Sequence, residues 1–204
     1  MHRNNTTKRF HSLGAITFFS LALMSSSSMA EDTISIGGGG AGGTFNTMAS
    51  GVGSLLTKTV EDVKFTVEKS AGSAENIRRI GSGDLQMGVA FAGDSYLAYH
   101  GLESFEKTGK VENLRFVGFL YSAVSQVVTT KKSGINSLAD LADKKMSVGS
   151  AGSGTAKTMG RILDYLKLAD SVKGSNVNGS GSSKQLKNGQ IDAYHGQWGV
   201  PAGA

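Results

Sequence analysis

Ile34-Ser35-Ile36-Gly37-Gly38-Gly39-Gly40-Ala41-Gly42-Gly43-Thr44-Phe45-Asn46-Thr47-Met48 is the stretch whose reading decides the fold of this chain. Ile34 and Ile36 alternate across Ser35 as a short strand does. Six glycines in the next seven positions turn the chain out of it, because glycine's conformational freedom favours tight turning. The period then changes: Phe45, Met48, Ala49, Val52, Leu55 and Leu56 recur at helical spacing, with Thr44 as the N-cap candidate. A loop without side chains thus leads into a helix N-terminus, where free backbone N–H groups and the positive end of the helix dipole meet. This predicts a small-anion site.

Upstream, Arg3, Lys8 and Arg9 form a basic segment, and Leu13 to Met24 is an apolar run too short to span a bilayer. Ser28-Met29-Ala30 supplies small residues for cleavage. Residues 1–30 read as a secretory signal peptide cleaved after Ala30, which places the mature chain in the periplasm. Its removal takes away three basic residues and no acidic one, so the formal charge drops from +5 to +2 over the remaining 174 residues. No lysine or arginine stripe interleaved with aromatics survives that correction, and no nucleic-acid partner is expected. Lys131-Lys132 and Lys144-Lys145 read as solvated pairs. With 0 cysteines the exported chain has neither disulfides nor thiolate chemistry, so its stability comes from its core. The length allows one ordinary domain or two small ones.

Downstream, Val63, Phe65 and Val67 alternate as a second strand ending near Glu68, and a helix opens at Gly72-Ser73 with Ser73 as its cap. Met87 to Phe91 reads as a buried strand, followed by Gly93-Asp94-Ser95 and a helix through Tyr96 and Tyr99. Strands separated by helical patterns imply a parallel, helix-covered sheet. Arg115–Tyr121 and Gln126–Thr130 are strand-like runs with no helix between them, which suggests a crossing. Ser137 to Asp140 has capping-box spacing. Met146-Ser147-Val148 runs into a second glycine loop, Gly149 to Thr155, and a helix with Ala156, Met159, Ile162, Leu163 and Leu166 on one face. Val177 to Ser183 is Gly/Ser/Asn-rich, Lys184–Asn188 reads as a short helix, and Ile191–Tyr194 as a strand that ends in Gly196-Gln197-Trp198-Gly199-Val200-Pro201.

Gly38, Gly40 and Gly43 match the spacing of a dinucleotide-binding fingerprint, with Glu68 at the end of the next strand, so a nicotinamide-dependent oxidoreductase domain is the competing reading. The export signal and the second glycine loop speak against it. Neither loop is a P-loop, since Gly154 is followed by Thr155-Ala156 and the phosphate-reaching lysine is absent. No nucleophile is paired with a base, no catalytic residue or metal ligand set is proposed, and no cofactor is expected. His100 and His195 read as surface or turn residues; Asp84, Asp94 and Asp192 as turn and cap residues. Tyr96, Tyr99 and Tyr121 read as core or cleft-wall aromatics, and Trp198, the one tryptophan, as a residue that equally well lines a pocket or fills a core.

Seven stretches in order are similar to the TAXI family of extracytoplasmic solute-binding proteins, receptors of one class of TRAP transporters. They are Ile36 to Phe45, Gly72 to Asn76, Gly83 to Phe91, Asp94 to Gly101, Ser133 to Leu141, Val148 to Thr155, and Gly189 to Ala193 with Gly199-Val200-Pro201. The resemblance implies an α/β fold of the type II periplasmic-binding-protein kind, two lobes joined by crossing strands, at 31–122 and 123–204. It implies a non-enzymatic receptor that closes over a small carboxylate or amino-acid solute and hands it to the TRAP transporter membrane subunit. By motif, the first-lobe contacts are Gly40, Gly42, Gly43, Thr44, Phe45, Ser73, Gly93 and Asp94. The second lobe contributes Ser153, Gly154, Thr155, Gln197, Trp198 and Gly199. Two departures stand out. Gly40-Ala41-Gly42 and Gly93 replace polar or bulkier residues, and the chain ends where family members continue their second lobe. The second lobe is therefore expected to be incomplete, in a truncated product or fragment that binds weakly if at all.

Overall fold

A computed structural model describes residues 32–199; the expected signal peptide, its cleavage after Ala30 and the Val200-Pro201 match lie outside them. β1 (Asp32–Gly39) is the strand expected from Ile34 and Ile36, extended through three glycines. Gly37 stays in the ladder because its neighbour needs the space: a Cβ there would overlap the Asn76 amide and lie 2.7 Å from Leu85 Cδ1. β1 pairs in parallel with β2 (Val63–Lys69) on one side and with the two-residue β3 (Met87–Gly88) on the other.

Two helices connect these strands. α1 (Thr44–Thr59) lays Ala49 and Gly53 on the sheet, Gly53 resting against Ile36, Phe65 and Val67. Leu55, expected on the apolar face, is 60% exposed, because the stripe passes through Gly53 instead. α2 (Ser73–Ser82) is pinned by Asn76, wholly buried, whose Nδ2 donates to Gly37 O at 2.9 Å and to Val89 O at 2.8 Å. Those two bonds use both amide hydrogens; Val89 O gains its donor from this side chain, while Gly37 O also accepts from Val89 N at 2.9 Å. Beneath α2, Ala74 and Ile77 pack with Phe105, Val111 and Ala98 of α3 (Ala92–His100).

The second sheet has the order β4-β7-β5-β6. β4 (Val124–Thr129) runs antiparallel to β7 (Ala193–Trp198) over six residue pairs, while β5 (Lys145–Ser147) is parallel to both β7 and β6 (Lys173–Ser175). α4 (Gly154–Tyr165) covers a core of Leu141, Met146, Met159, Leu163, Val172 and Ala193. α5 (Gly179–Lys187) packs Leu186 against Ile191 and Tyr194. The Ser137–Asp140 capping box forms, on a single 3₁₀ turn at Leu138–Leu141. The strands of the first sheet come from residues 32–88 and those of the second from 124–198.

Several expectations are corrected. Arg115–Tyr121 forms no strand; it has no ladder partner among the described residues, and Phe116, Val117 and Phe119 are 86%, 81% and 73% exposed. The Met87–Phe91 strand shrinks to β3: Val89 N still donates to Gly37 O at 2.9 Å, but the Asn76 side chain takes Val89 O and the ladder goes no further. The last strand begins at Ala193 and runs on through Gly196 to Trp198, held by β4. Tyr96 and Tyr99 are exposed on α3, not cleft walls.

Candidate functional site

The glycine loops and helix starts of the two sheets enclose a cavity of about 340 Å³. Four helices bring their first residues to its wall: α1 with Gly43, Thr44 and Phe45, α2 with Gly72 and Ser73, α4 with Ser153, Gly154 and Thr155, α5 with Asn178, Gly179 and Ser180. Each start carries backbone N–H groups without an intrahelical acceptor, so four positive dipole ends share one small volume. The caps differ. Gly43 and Gly72 cap α1 and α2 with no side chain, whereas Ser153 Oγ accepts from Ala156 N at 3.1 Å and Asn178 Oδ1 from Gly181 N at 2.8 Å.

These geometries revise two expected caps. Thr44 is the first helical residue behind Gly43, and Gly43 N donates to Gly40 O at 3.0 Å in the turn that brings the loop round. Ser73 likewise follows the cap; it is buried, and its Oγ accepts from Phe91 N at 3.0 Å, tying α2 to the residue before α3.

The charged side chains lining the cavity are Lys184 and Lys187, both exposed, and the lining contains neither aspartate nor glutamate among the described residues. His195, expected at the surface, is 2% exposed and forms part of the wall. Its Nε2 lies 2.7 Å from Ser125 Oγ and its Nδ1 has no partner. Burial lowers its pKa below the usual histidine value, so near neutral pH it is an uncharged hydrogen-bonding group. Trp198 folds back over Gly196, where a Cβ would collide with the indole, and meets Tyr194 edge-on with centroids 5.7 Å apart. On the other wall Phe45 leans on Phe91 at 4.8 Å.

Of the residues singled out in the sequence, Gly40, Gly42, Gly43, Thr44, Phe45, Ser73, Ser153, Gly154, Thr155, Gln197 and Trp198 come together around this cavity. Gly93, Asp94 and Gly199 do not line it. Gly93 is exposed at the start of α3 with no neighbour near a Cβ, and Gly199 lies behind, against Tyr121 and Thr44. Asp94 is buried behind Gly154, so close that a Cβ on that glycine would overlap the carboxylate. The sequence reading missed Phe91, Asn178, Ser180, Lys184, Lys187, Tyr194, His195 and Gly196. Asn178 eight residues before Leu186 was the available signal for a capped helix carrying both lysines.

The dinucleotide reading finds no support. A Rossmann half places its third strand beyond the second, whereas here β3 lies on the opposite side of β1 in the order β2-β1-β3. Glu68, the candidate ribose ligand, is instead ion-paired with Arg79, which holds its carboxyl below the usual range.

Solved structures share this fold. The chain superimposes on the alkanesulfonate-binding protein of Xanthomonas axonopodis pv. citri bound to MOPS with a TM-score of 0.53 at 16% identity, covering 83% of this chain and 55% of that one. A cysteine-binding protein from Campylobacter jejuni matches with a TM-score of 0.56 at 15% identity over 81% of this chain and 63% of its own. An amino acid ABC transporter substrate-binding protein from Streptococcus pneumoniae bound to L-arginine gives 0.54 at 15%, over 83% and 68%. This chain therefore spans about 55% to 68% of their lengths. The fold is the expected α/β periplasmic-binding-protein architecture, type II, here with three strands in one sheet and four in the other. Residues 36–204 match the model of the NMT1-like family, and the chain belongs to that family.

Proposed function

We propose that the chain is an extracytoplasmic solute-binding receptor of the TAXI type, which binds a small organic anion between its two sheets and delivers it to a TRAP transporter membrane subunit. The observation that carries this reading is the cavity into which four helix N-termini converge with two lysines and, among the described residues, no acidic side chain in its lining. Such a site favours anions by dipole and charge together. The order of the seven sequence stretches supports the TAXI assignment, and membership of the NMT1-like family supports the broader solute-binding reading. The contacts proposed are the amides of Gly42 to Phe45, Ser73, the α4 start at Ser153 to Thr155, and Gln197 with Trp198. Gly93, Asp94 and Gly199 would act only by shaping what stands behind that wall.

In this reading residues 1–30 direct export and are cleaved after Ala30, and the lobes divide near residue 122. Function is a population shift: the anion holds the two glycine loops together, and the closed form is what the transporter meets. The test is a thermal-shift screen of the purified chain against 2-oxoglutarate, succinate, L-glutamate, an alkanesulfonate and an uncharged sugar. A saturable rise in Tm with an acid and none with the sugar is the expected result, since a ligand specific to the folded state stabilises it. A flat response to every acid at millimolar concentration would sink the receptor reading.

A further inference from the structure

We propose that Arg115–Tyr121 is a self-association surface, on which two copies of this chain pair as antiparallel strands about a two-fold axis at Gly118. The stretch is a strand in everything except its partner. Leu114 to Ala123 runs without a turn, a bend or a positive φ, Gly118 included. Among the described residues, no backbone N–H or C=O of Arg115 to Tyr121 finds a hydrogen-bond partner. Both ends are nevertheless held. Leu114 packs against the core beneath α2, and Tyr121 meets Phe45 edge-on with ring centroids 6.2 Å apart. Between those anchors Phe116, Val117, Phe119 and Leu120 are all exposed. An anchored, extended backbone with open hydrogen-bonding groups and apolar side chains is a template for strand pairing. Residues 115–121 do not line the cavity, so the inference stands whatever solute is bound there.

What fits this surface is the same surface again. From Phe116 to Val124 the sequence has no charged residue and no proline, the features that ordinarily blunt an exposed edge. Alternation puts Phe116, Gly118 and Leu120 on one face and Val117, Phe119 and Tyr121 on the other. Pairing about Gly118 then sets Phe116 against the other copy's Leu120 and Val117 against its Phe119, apolar cross-strand pairs on both faces. Gly118 meets its own counterpart at the axis, where nothing lies within 4 Å of the place a Cβ would take, so the backbones can approach closely. The area suffices. A whole phenylalanine presents about 200 Å², so the two rings alone offer about 300 Å² and the seven residues with their backbone about 600 Å². Two copies together would bury about 1,200 Å², the lower bound of a stable specific interface. An isologous pair also closes on itself, whereas head-to-tail contact would string copies into a fibre.

The experiment is sedimentation velocity on the purified full chain from about 1 to about 100 µM, repeated for Val117→Glu, for Phe119→Lys and for an equimolar mixture of the two variants. The unmodified chain is expected to dimerise. Each substitution alone should weaken the dimer about tenfold or more, because it sets a charge against an apolar residue on both sides of the axis. In the mixture the two introduced charges, opposite in sign, meet once across the axis, so the mixed dimer is expected to be tighter than either variant's own. Both side chains are exposed in the single chain, and an unchanged Tm checks that the variants keep the fold. An unmodified chain that stays monomeric throughout the range overturns the proposal without recourse to any variant. A dimer that neither substitution weakens, a mixture that gains nothing over the single variants, or an open series of larger species in place of a dimer would overturn it as well.

Discussion

The two sheets face the same cavity with helices built by opposite rules. On the first, α1 and α2 begin at bare glycines whose caps offer no side chain to the amides of the first helical residues; at α2 Ser70 Oγ and Glu75 take only the amides of Gly72 and Ala71 ahead of it. On the second, α4 and α5 begin at Ser153 and Asn178, whose side chains satisfy one amide each. Helix starts capped from within hold their shape without a guest; starts capped by glycine leave donors that a guest can use. The second sheet accordingly reads as the preformed wall and the first as the wall that a ligand completes.

The strongest way to break this comparison is at the root of the first wall. Gly37→Val would drive its side chain into Asn76 and Leu85, and a loss of about 3 kcal/mol in a chemical denaturation is expected from overpacking plus the displaced amide. A stable Gly37→Val variant would mean that α2 is not pinned as described. Acid should act instead on the second wall. His195 is depressed in the folded chain, so the unfolded state takes up its proton first. Stability is complete above the ordinary histidine pKa and falls as pH drops through it, with a slope no steeper than about 1.4 kcal/mol per pH unit. Melts on either side of that pKa measure this, and His195→Asn should flatten the profile.

Ser153→Ala should cost about 1 kcal/mol of stability with or without ligand, as loss of an internal cap does. If ligand restored that loss fully, the preformed character of the second wall would be refuted. The smallest stability effect belongs to Gly43→Asn, expected to raise stability by only about a few tenths of a kcal/mol by giving α1 a cap. The same change should weaken anion binding severalfold, because the new side chain competes for the amides. A Gly43→Asn variant that is stabler and binds better would show that the bare cap has no part in recognition.

What could be read from the sequence was whatever depends on local period. Ile34-Ser35-Ile36 followed by glycines and an apolar helix face is a self-contained signal, and its recurrence at Met146 to Leu166 placed the second wall. Ser137 and Asp140 declared their capping box by spacing alone. Arg115–Tyr121 failed for the reason that strands generally fail: alternation shows that a segment could pair, but the partner is elsewhere in the chain. Lys184–Asn188 marked the second half of α5, but its first half was hidden because Gly179, Ser180, Gly181, Ser182 and Ser183 have poor helix propensity; the Asn178 cap and Leu186 packing override it. His195 was assigned to the surface or a turn because nothing beside it in sequence reveals that β4 closes over it at Ser125, 70 residues away.

The indole folded over Gly196 has a practical consequence. Because Trp198 is the sole tryptophan and stands in the wall of the cavity, its emission under tryptophan-selective excitation comes from one known place. Solute entry would change the polarity around that ring or its contact with Tyr194, so the chain carries its own fluorophore for binding. Stopped-flow records of that signal could time the meeting of the two walls without a label.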